Sequence, residues 1–229
     1  MLEISFEDDY LIAVNKPNNV LVHHSHMARN QSEDASLVEL LQKQFQQKFY
    51  PIHRLDRKTS GIILCAKNKE YVAKFQELFL NNQIQKIYWG LVRGHMPKYG
   101  KIDTPVKGRD ANVYKEALTY FKCFKTAESE IAVHPYSNSR YSLVELTPKT
   151  GRLHQLRIHL NKISHPLIGD PKYGDRFHNR MFSSEFKCEH LFLHAKEIHF
   201  KHPYTSKNHS ITAELPCHWQ KVNHYLNFV

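Results

Sequence analysis

Hydrophobic residues in this chain come in short, β-rich bursts separated by polar punctuation, and that spacing constrains the fold more than any other feature. Leu2-Glu3-Ile4-Ser5-Phe6 alternates, Leu11-Ile12-Ala13-Val14 is an apolar run stopped by Lys16-Pro17, and Ile62 to Ala66 reads as a buried strand. Further strands are expected at Lys86 to Val92, Lys115 to Phe124, Ser142 to Thr147, Leu191 to Phe200 and Ile211 to Leu215. Helical spacing is confined to four places. Leu37 to about Phe45 follows a Ser36 cap, and Tyr71, Val72, Phe75, Leu78 and Phe79 share one face behind Asn68. Leu153, Leu156, Leu160 and Ile163 recur between Gly151 and His165, and Trp219, Val222 and Leu226 mark a final helix in the tail. Strands outnumber helices and mostly follow one another, so the expected class is α+β, with a mixed, largely antiparallel sheet flanked by helices. No repeat or Gly/Ser-rich linker divides the chain, and a single domain over 1–229 is expected.

The longest apolar runs fall far short of the roughly 20 residues needed to span a bilayer. Met1-Leu2-Glu3-Ile4 leads into Glu7, Asp8 and Asp9 where a secretory leader is basic and then apolar, so a cytoplasmic protein is expected. Cys65, Cys123, Cys188 and Cys217 form no Cys-x-x-Cys pair and read as reduced thiols. Charge narrows the partner. With 32 Lys+Arg against 22 Asp+Glu the net charge is +10, which favours a polyanion.

Three segments could carry chemistry. In His53-Arg54-Leu55-Asp56-Arg57-Lys58-Thr59-Ser60-Gly61 one carboxylate sits among three cations and a histidine, just before a buried strand. A carboxylate oriented in this way can serve as nucleophile or base, or it can be a structural ion-pair knot. Lys86-Ile87-Tyr88-Trp89-Gly90-Leu91-Val92 puts Lys86, Tyr88, Gly90 and Val92 on one strand face. Tyr88 there either stacks on a base or fills a core. Thr150 to His159 holds a polar stripe whose Arg157 either pairs with a buried carboxylate or belongs to a solvated basic face. Histidines cluster at His23, His24 and His26 and again at His190, His194, His199 and His202. A four-residue step along a strand separates ligands by about 13 Å, and no His-Glu-x-x-His is present, so no metal is expected. No phosphate-cradling glycine motif is present, and no cofactor is expected.

Taken together, these segments resemble the RluA-type pseudouridine synthases. His53-Arg54-Leu55-Asp56 with Thr59-Ser60-Gly61 is similar to that family's catalytic-aspartate motif, and Lys86 to Gly94 to its tyrosine strand, with Gly90 where the family more often has Ala. Gly151 to His159 is similar to its arginine helix, followed by His165-Pro166-Leu167-Ile168-Gly169-Asp170, Tyr173-Gly174, Leu193-His194-Ala195 and His202-Pro203. The resemblance covers about residues 1 to 215. It implies a pseudouridine-synthase-like catalytic domain, without an N-terminal S4 domain, that isomerises uridine in RNA and needs no cofactor.

It also implies the site. Asp56 is the nucleophile or base, Arg157 its ion-pair partner, Tyr88 packs on the base, Arg54 fills the gap left by a flipped nucleotide, and Leu193 lines the uracil pocket. His53 and His154 are expected on the substrate. Lys98, Lys101, Lys107 and Arg109 are expected on the RNA backbone, from their charge and crowding. Leu21-Val22-His23, Arg29 and the stretch from Gly174-Asp175 to Asn179-Arg180 are similar to the branch acting on uridine 65 of tRNA. The expected partner is therefore tRNA, with a monomer and no protein or membrane partner. An rRNA or dual-specificity synthase of the same family is the alternative, and a catalytically silent RNA-binding module is the alternative from another class.

Overall fold

A computed structural model of the protein describes residues 1–24, 34–108 and 113–228, so His26, Arg29 and Arg109 lie outside the described residues. By contacts, the described chain divides into two units interleaved in sequence. One comprises Met1–Lys86 with Ala195–Glu214, the other Ile87–His194 with Leu215–Val229.

In the first unit, β1 (Glu3–Glu7), β2 (Leu11–Lys16), β3 (Tyr50–Pro51), β4 (Ser60–Ala66), β11 (Leu193–Lys201) and β12 (Asn208–Thr212) carry the sheet. β1 pairs with β2, β2 and β3 with β4, and β11 with β12, all antiparallel, and β11 neighbours β4. Period two decides the layers. Leu11, Ala13, Ile62, Leu64 and Ala66 point into a core closed by Phe75 of α2 (Val72–Leu80). Their neighbours Ile12, Val14, Ile63 and Cys65 point into another, closed by Leu37 and Leu41 of α1 (Leu37–Phe45). Because both faces are covered, β4 is buried at every position and reads as a continuous apolar run. The Ser36 cap is present as a full capping box with Glu39. Asn68 caps the turn at Lys69–Tyr71 that leads into α2. Gly61 has φ +104°, and a Cβ there would run into the backbone of Ala195, so close approach of β11 requires glycine.

In the second unit, β5 (Gln85–Arg93, from Ile87 onward), β10 (Ser139–Pro148), β9 (Leu118–Ser129) and β6 (Tyr99–Asp103) form an antiparallel run in that spatial order. A separate hairpin pairs β7 (Val106–Lys107) with β8 (Tyr114–Lys115). One sheet face packs Leu91, Tyr141 and Leu143 against α4 (Arg176–Phe186) and α5 (Cys217–Tyr225). The other packs Val92, Val144, Leu146, Phe121 and Cys123 against Leu156 and Leu160 of α3 (Gln155–Lys162). Trp219, Val222 and Leu226 dock as their spacing predicts.

Three expectations are corrected, and one helix is added. The helix expected from Gly151 begins only at Gln155, because His154 takes φ +54°, and Leu153 is 38% exposed and outside the core stripe. The strand expected from Lys115 is broken before Leu118, and its first residue, Lys115, belongs to the β7–β8 hairpin. The last strand covers Asn208–Thr212 rather than running to Leu215. Helix α4 was not foreseen. Asp175 caps it by accepting from the N–H groups of Phe177 and His178, and His178, Met181, Phe182 and Phe186 are its buried residues.

Buried and partly buried histidines serve as neutral ties. Nε2 of His53 accepts the Leu64 N–H at 3.0 Å, and Nδ1 of His202 accepts the Tyr204 and Thr205 N–H groups. His159 bonds through Nδ1 to Thr119 Oγ1 and through Nε2 to the Thr104 carbonyl. Burial pushes His53 down to about 3, with the Lys86 charge adding to it, and pushes His218 down to about 4. Burial also lowers His159, His178 and His202. Above pH 6.5 these groups are neutral in both folded and unfolded chains and make no difference. As pH falls from 6.5 toward 4, the unfolded chain takes up protons that the fold refuses, so stability drops by up to about 1.4 kcal/mol per pH unit per histidine. Urea unfolding at pH 7, 6 and 5 should show a midpoint that falls steadily across this window; a flat midpoint would show that these rings protonate freely in the folded state.

Candidate active site

The loop from Ile52 to Thr59 is fastened at both ends. Ile52 N–H donates to the Leu64 carbonyl while Leu64 N–H donates to His53, so the imidazole continues the ladder on β4 where a strand residue would otherwise pair. The His53 ring also lies 4.8 Å from the Phe79 ring. Expected on the substrate, His53 thus has Nε2 engaged by backbone. Thr59 N–H donates to the Asp56 carbonyl, closing a tight turn over Arg57 and Lys58. Leu55 is buried and anchors the loop, Asp56 is partly buried, and Arg54 is exposed.

Lys16, read from sequence only as the end of a strand, supports this loop from inside. It is fully buried, and its Nζ donates to the carbonyls of Pro17 and Val20 at 2.9 Å and of Arg57 at 3.1 Å. Burial pushes its pKa down to about 7, and the nearby Asp56 charge pulls it upward. One ammonium therefore ties the end of β2 to the turn that follows Asp56. The signal for it was a lysine in period two with Ile12 and Val14, on the strand face that the structure buries.

In the second unit, Tyr88 opposes Leu146, Leu146 opposes Phe121, and Phe121 opposes Gly100. This row places Tyr88 against the cluster that contains Leu193, Leu156 and Leu160. Leu193 is 3% exposed and belongs to the same cluster. The structure thus brings Tyr88, Leu193 and the arginine helix onto one face. A Cβ at Gly90 would press on Leu167 Cδ2 at 2.9 Å, so glycine leaves room for that leucine.

Arg157 is buried and bidentate on Asp170, with Nε to Oδ2 at 2.7 Å and Nη2 to Oδ1 at 2.8 Å. Burial alone would raise the Asp170 pKa; the hydrogen bonds and charge of Arg157, joined by the Tyr173 and Lys172 N–H groups, overcome it and hold the carboxyl below its usual range. The Tyr173 ring covers the guanidinium at 5.2 Å, and its hydroxyl reaches Nδ1 of His154 at 3.1 Å. Asn179 accepts from Gly169 N–H and donates to the Asp170 carbonyl. Gly169 takes φ +74° against the His190 backbone, a place no larger residue fits. Asp170, like Lys16, is a buried partner that local sequence does not single out: it stands inside the His165–Asp170 motif, and its bonds to Arg157 form only in the fold.

The basic residues expected on RNA are distributed. Lys98 and Lys101 are exposed beside and on β6, and Lys107 is exposed on the β7–β8 hairpin. That hairpin borders the arginine helix, because Lys162 Nζ donates to the Pro105 carbonyl and His159 bonds Thr104. Lys101 pairs across strands with Tyr120, on the face opposite Tyr88.

A family described as RNA pseudouridylate synthase matches residues 10–162. The tRNA pseudouridine synthase C of Haemophilus ducreyi is 40% identical over 230 residues, covering 96% of this chain and 94% of that protein. The protein of the same name from Vibrio cholerae is 37% identical, covering 96% and 93%. Among solved structures, Human RNA Pseudouridylate Synthase Domain Containing 4 has a TM-score of 0.73 at 26% identity, covering 98% of this chain and 92% of that one. With likeness of this extent in both sequence and fold, the chain belongs to the RNA pseudouridylate synthase family.

Proposed function

We propose that this pseudouridine synthase acts on tRNA, with uridine 65 as the target and Asp56 as the nucleophile or base. The observation that carries the tRNA reading is near full-length identity of 34 to 40% to proteins named tRNA pseudouridine synthase C. The isomerisation breaks the bond between base nitrogen and ribose, turns the base and rejoins it through carbon 5, with no net redox change. It asks for a fixed carboxylate, a dry pocket for the detached uracil and a route for the carbon 5 proton.

Each part has a candidate. Asp56 opens a turn fastened by Lys16, so its backbone is set by bonds within the fold. Arg157, held by Asp170, is its proposed counterion, as the family resemblance implies. Tyr88 would pack on the base and Leu193 would exclude water. Exposed Arg54, two residues from Asp56, suits the role of a planar cation filling the stack after the uridine flips. His154 is held by Tyr173 at the start of the arginine helix, and its proposed contact is with the substrate. Lys98, Lys101, Lys107 and Arg109 are the proposed backbone contacts.

Asp56→Asn should abolish conversion of uridine in tRNA transcript while leaving tRNA affinity within a few-fold, since the amide keeps the shape but is neither nucleophile nor competent base. Mass mapping of pseudouridine would read it, and turnover above about a hundredth of wild type removes Asp56 from this role. Arg54→Ala should lower the single-turnover rate more than tRNA affinity, because stack insertion matters mainly once the base has left the helix. Equal losses in both would assign Arg54 to ground-state binding.

Asp170 acts in this scheme by positioning Arg157. Asp170→Asn should destabilise the fold by roughly 3 to 5 kcal/mol, as breaking a buried pair does, and slow the reaction. Added to Arg157→Ala it should cost no further rate, because the guanidinium it holds is gone. Additive rate losses in that cycle would mean that Asp170 works by another route.

A further inference from the structure

Strand register sorts β6, β9 and β10 into two faces. Gly100, Phe121 and Leu146 share the face of Tyr88, and the residues between them point away from it. On that far side Lys101 opposes Tyr120, which opposes Thr147, and Tyr99 opposes Lys122, which opposes Glu145. Phe124 follows at the shift in register near Leu143, with its ring 5.4 Å from that of Trp89. Tyr99 is 75% exposed, Tyr120 43% and Phe124 36%.

Cations lie over these rings. Lys149 Nζ is 5.9 Å from the centroid of Tyr120, and Lys122 Nζ is 5.5 Å from that of Phe124. Lys125, opposite Leu143, adds another exposed charge. Two acids share the face: Asp103, 3.6 Å from Lys101, and partly buried Glu145. Four lysines against two acids leave it positive, in a chain of net charge +10.

We propose that this face is a second RNA-contact surface, where unpaired nucleotides of the bound tRNA stack on Tyr99 and Tyr120 and lysines meet their phosphates. The proposal rests on the tRNA reading given above. Aromatic residues are enriched both at protein interfaces and at nucleic-acid platforms, but lysine is depleted at the former. Aromatics alternating with lysines across neighbouring strands suit a strand of bases with phosphates between them. When a base arrives, the lysine over the ring can swing to the phosphate, so the cation that shields the ring in free protein becomes a contact in the complex.

Ultraviolet crosslinking of the wild-type protein to full-length tRNA, with mass mapping of adducts, tests the contact directly. Titrations with Tyr99→Ala and Tyr120→Ala test its weight. Adducts are expected at Tyr99 or Tyr120, and each substitution should raise Kd about tenfold, with both side chains outside the core. Pseudouridine formation by the wild type in the same tRNA is scored in parallel. Conversion with adducts elsewhere and both variants binding within about twofold of wild type would overturn the surface, leaving a protein-docking face as its replacement. Absence of conversion and of binding would overturn the tRNA reading and this proposal with it.

Discussion

Much of the second unit depends on one electrostatic constraint: a guanidinium removed from water must be matched group by group. Leaving Arg157 partly unpaired would cost several kcal/mol, a large share of a typical domain's stability. Asp170 therefore takes its Nε and Nη2, and Asp170 must itself be satisfied. The chain meets that requirement by turning back on itself, so that the Lys172 and Tyr173 N–H groups fall on Oδ1. The turn is then locked by Asn179, from the first half of α4. Asp175 caps the same helix and holds Arg93 of β5 at 2.6 Å. The strand, the turn and two helices are thus tied together by the cost of burying a single charge.

The first unit repeats this logic with a lysine. A buried ammonium needs acceptors for three protons, and Lys16 finds three carbonyls, two in the segment after β2 and one in the turn after Asp56. In each unit a part of the proposed site, the Asp56 turn in one and Arg157 in the other, is therefore held by partners already in place. Little reorganisation remains when charge develops, which is the condition under which fixed dipoles and charges accelerate a reaction.

The legibility of these features in the sequence followed the range of the physics. The Ser36 cap, Asn68, and the period of Trp219, Val222 and Leu226 are local devices and were readable as such; the Glu39 half of the capping box came with the structure. Helix α4 was missed because its apolar positions are interrupted by Asn179, Arg180 and two serines. Its cap and its buried face become convincing only once Tyr141 is seen to bond His178 at 2.9 Å. The early start given to α3 failed for a related reason: Gln155 Oε1 accepts from Thr150 and from the Arg152 N–H, holding the preceding segment in a loop that helical spacing alone does not reveal. Asp56, Tyr88 and Arg157 stand out in the sequence because the motifs that carry them are local; the roles proposed for them are a separate matter for experiment. Lys16 and Asp170 do not stand out, since their importance lies in partners reached only after folding.

Period two has a further consequence for the strands of the second unit. Along β9, Phe121 and Cys123 must face the core while Tyr120 and Lys122 must not, so the strand that supports the Tyr88 row necessarily presents a second, solvent-facing row. Selection on one row leaves the other open to a different task. Affinity for a polyanion can be supplied far from the reacting atoms, whereas binding energy that helps the reaction must grow as the transition state is approached. In the proposed scheme, lysines and aromatics on the far row hold RNA without touching the uridine, while the buried pairs that set Arg157 and the Asp56 turn serve the chemical step. Exposed contacts of the first kind weaken with salt, and buried pairs of the second kind are screened far less, so ionic strength acts on the two tasks separately.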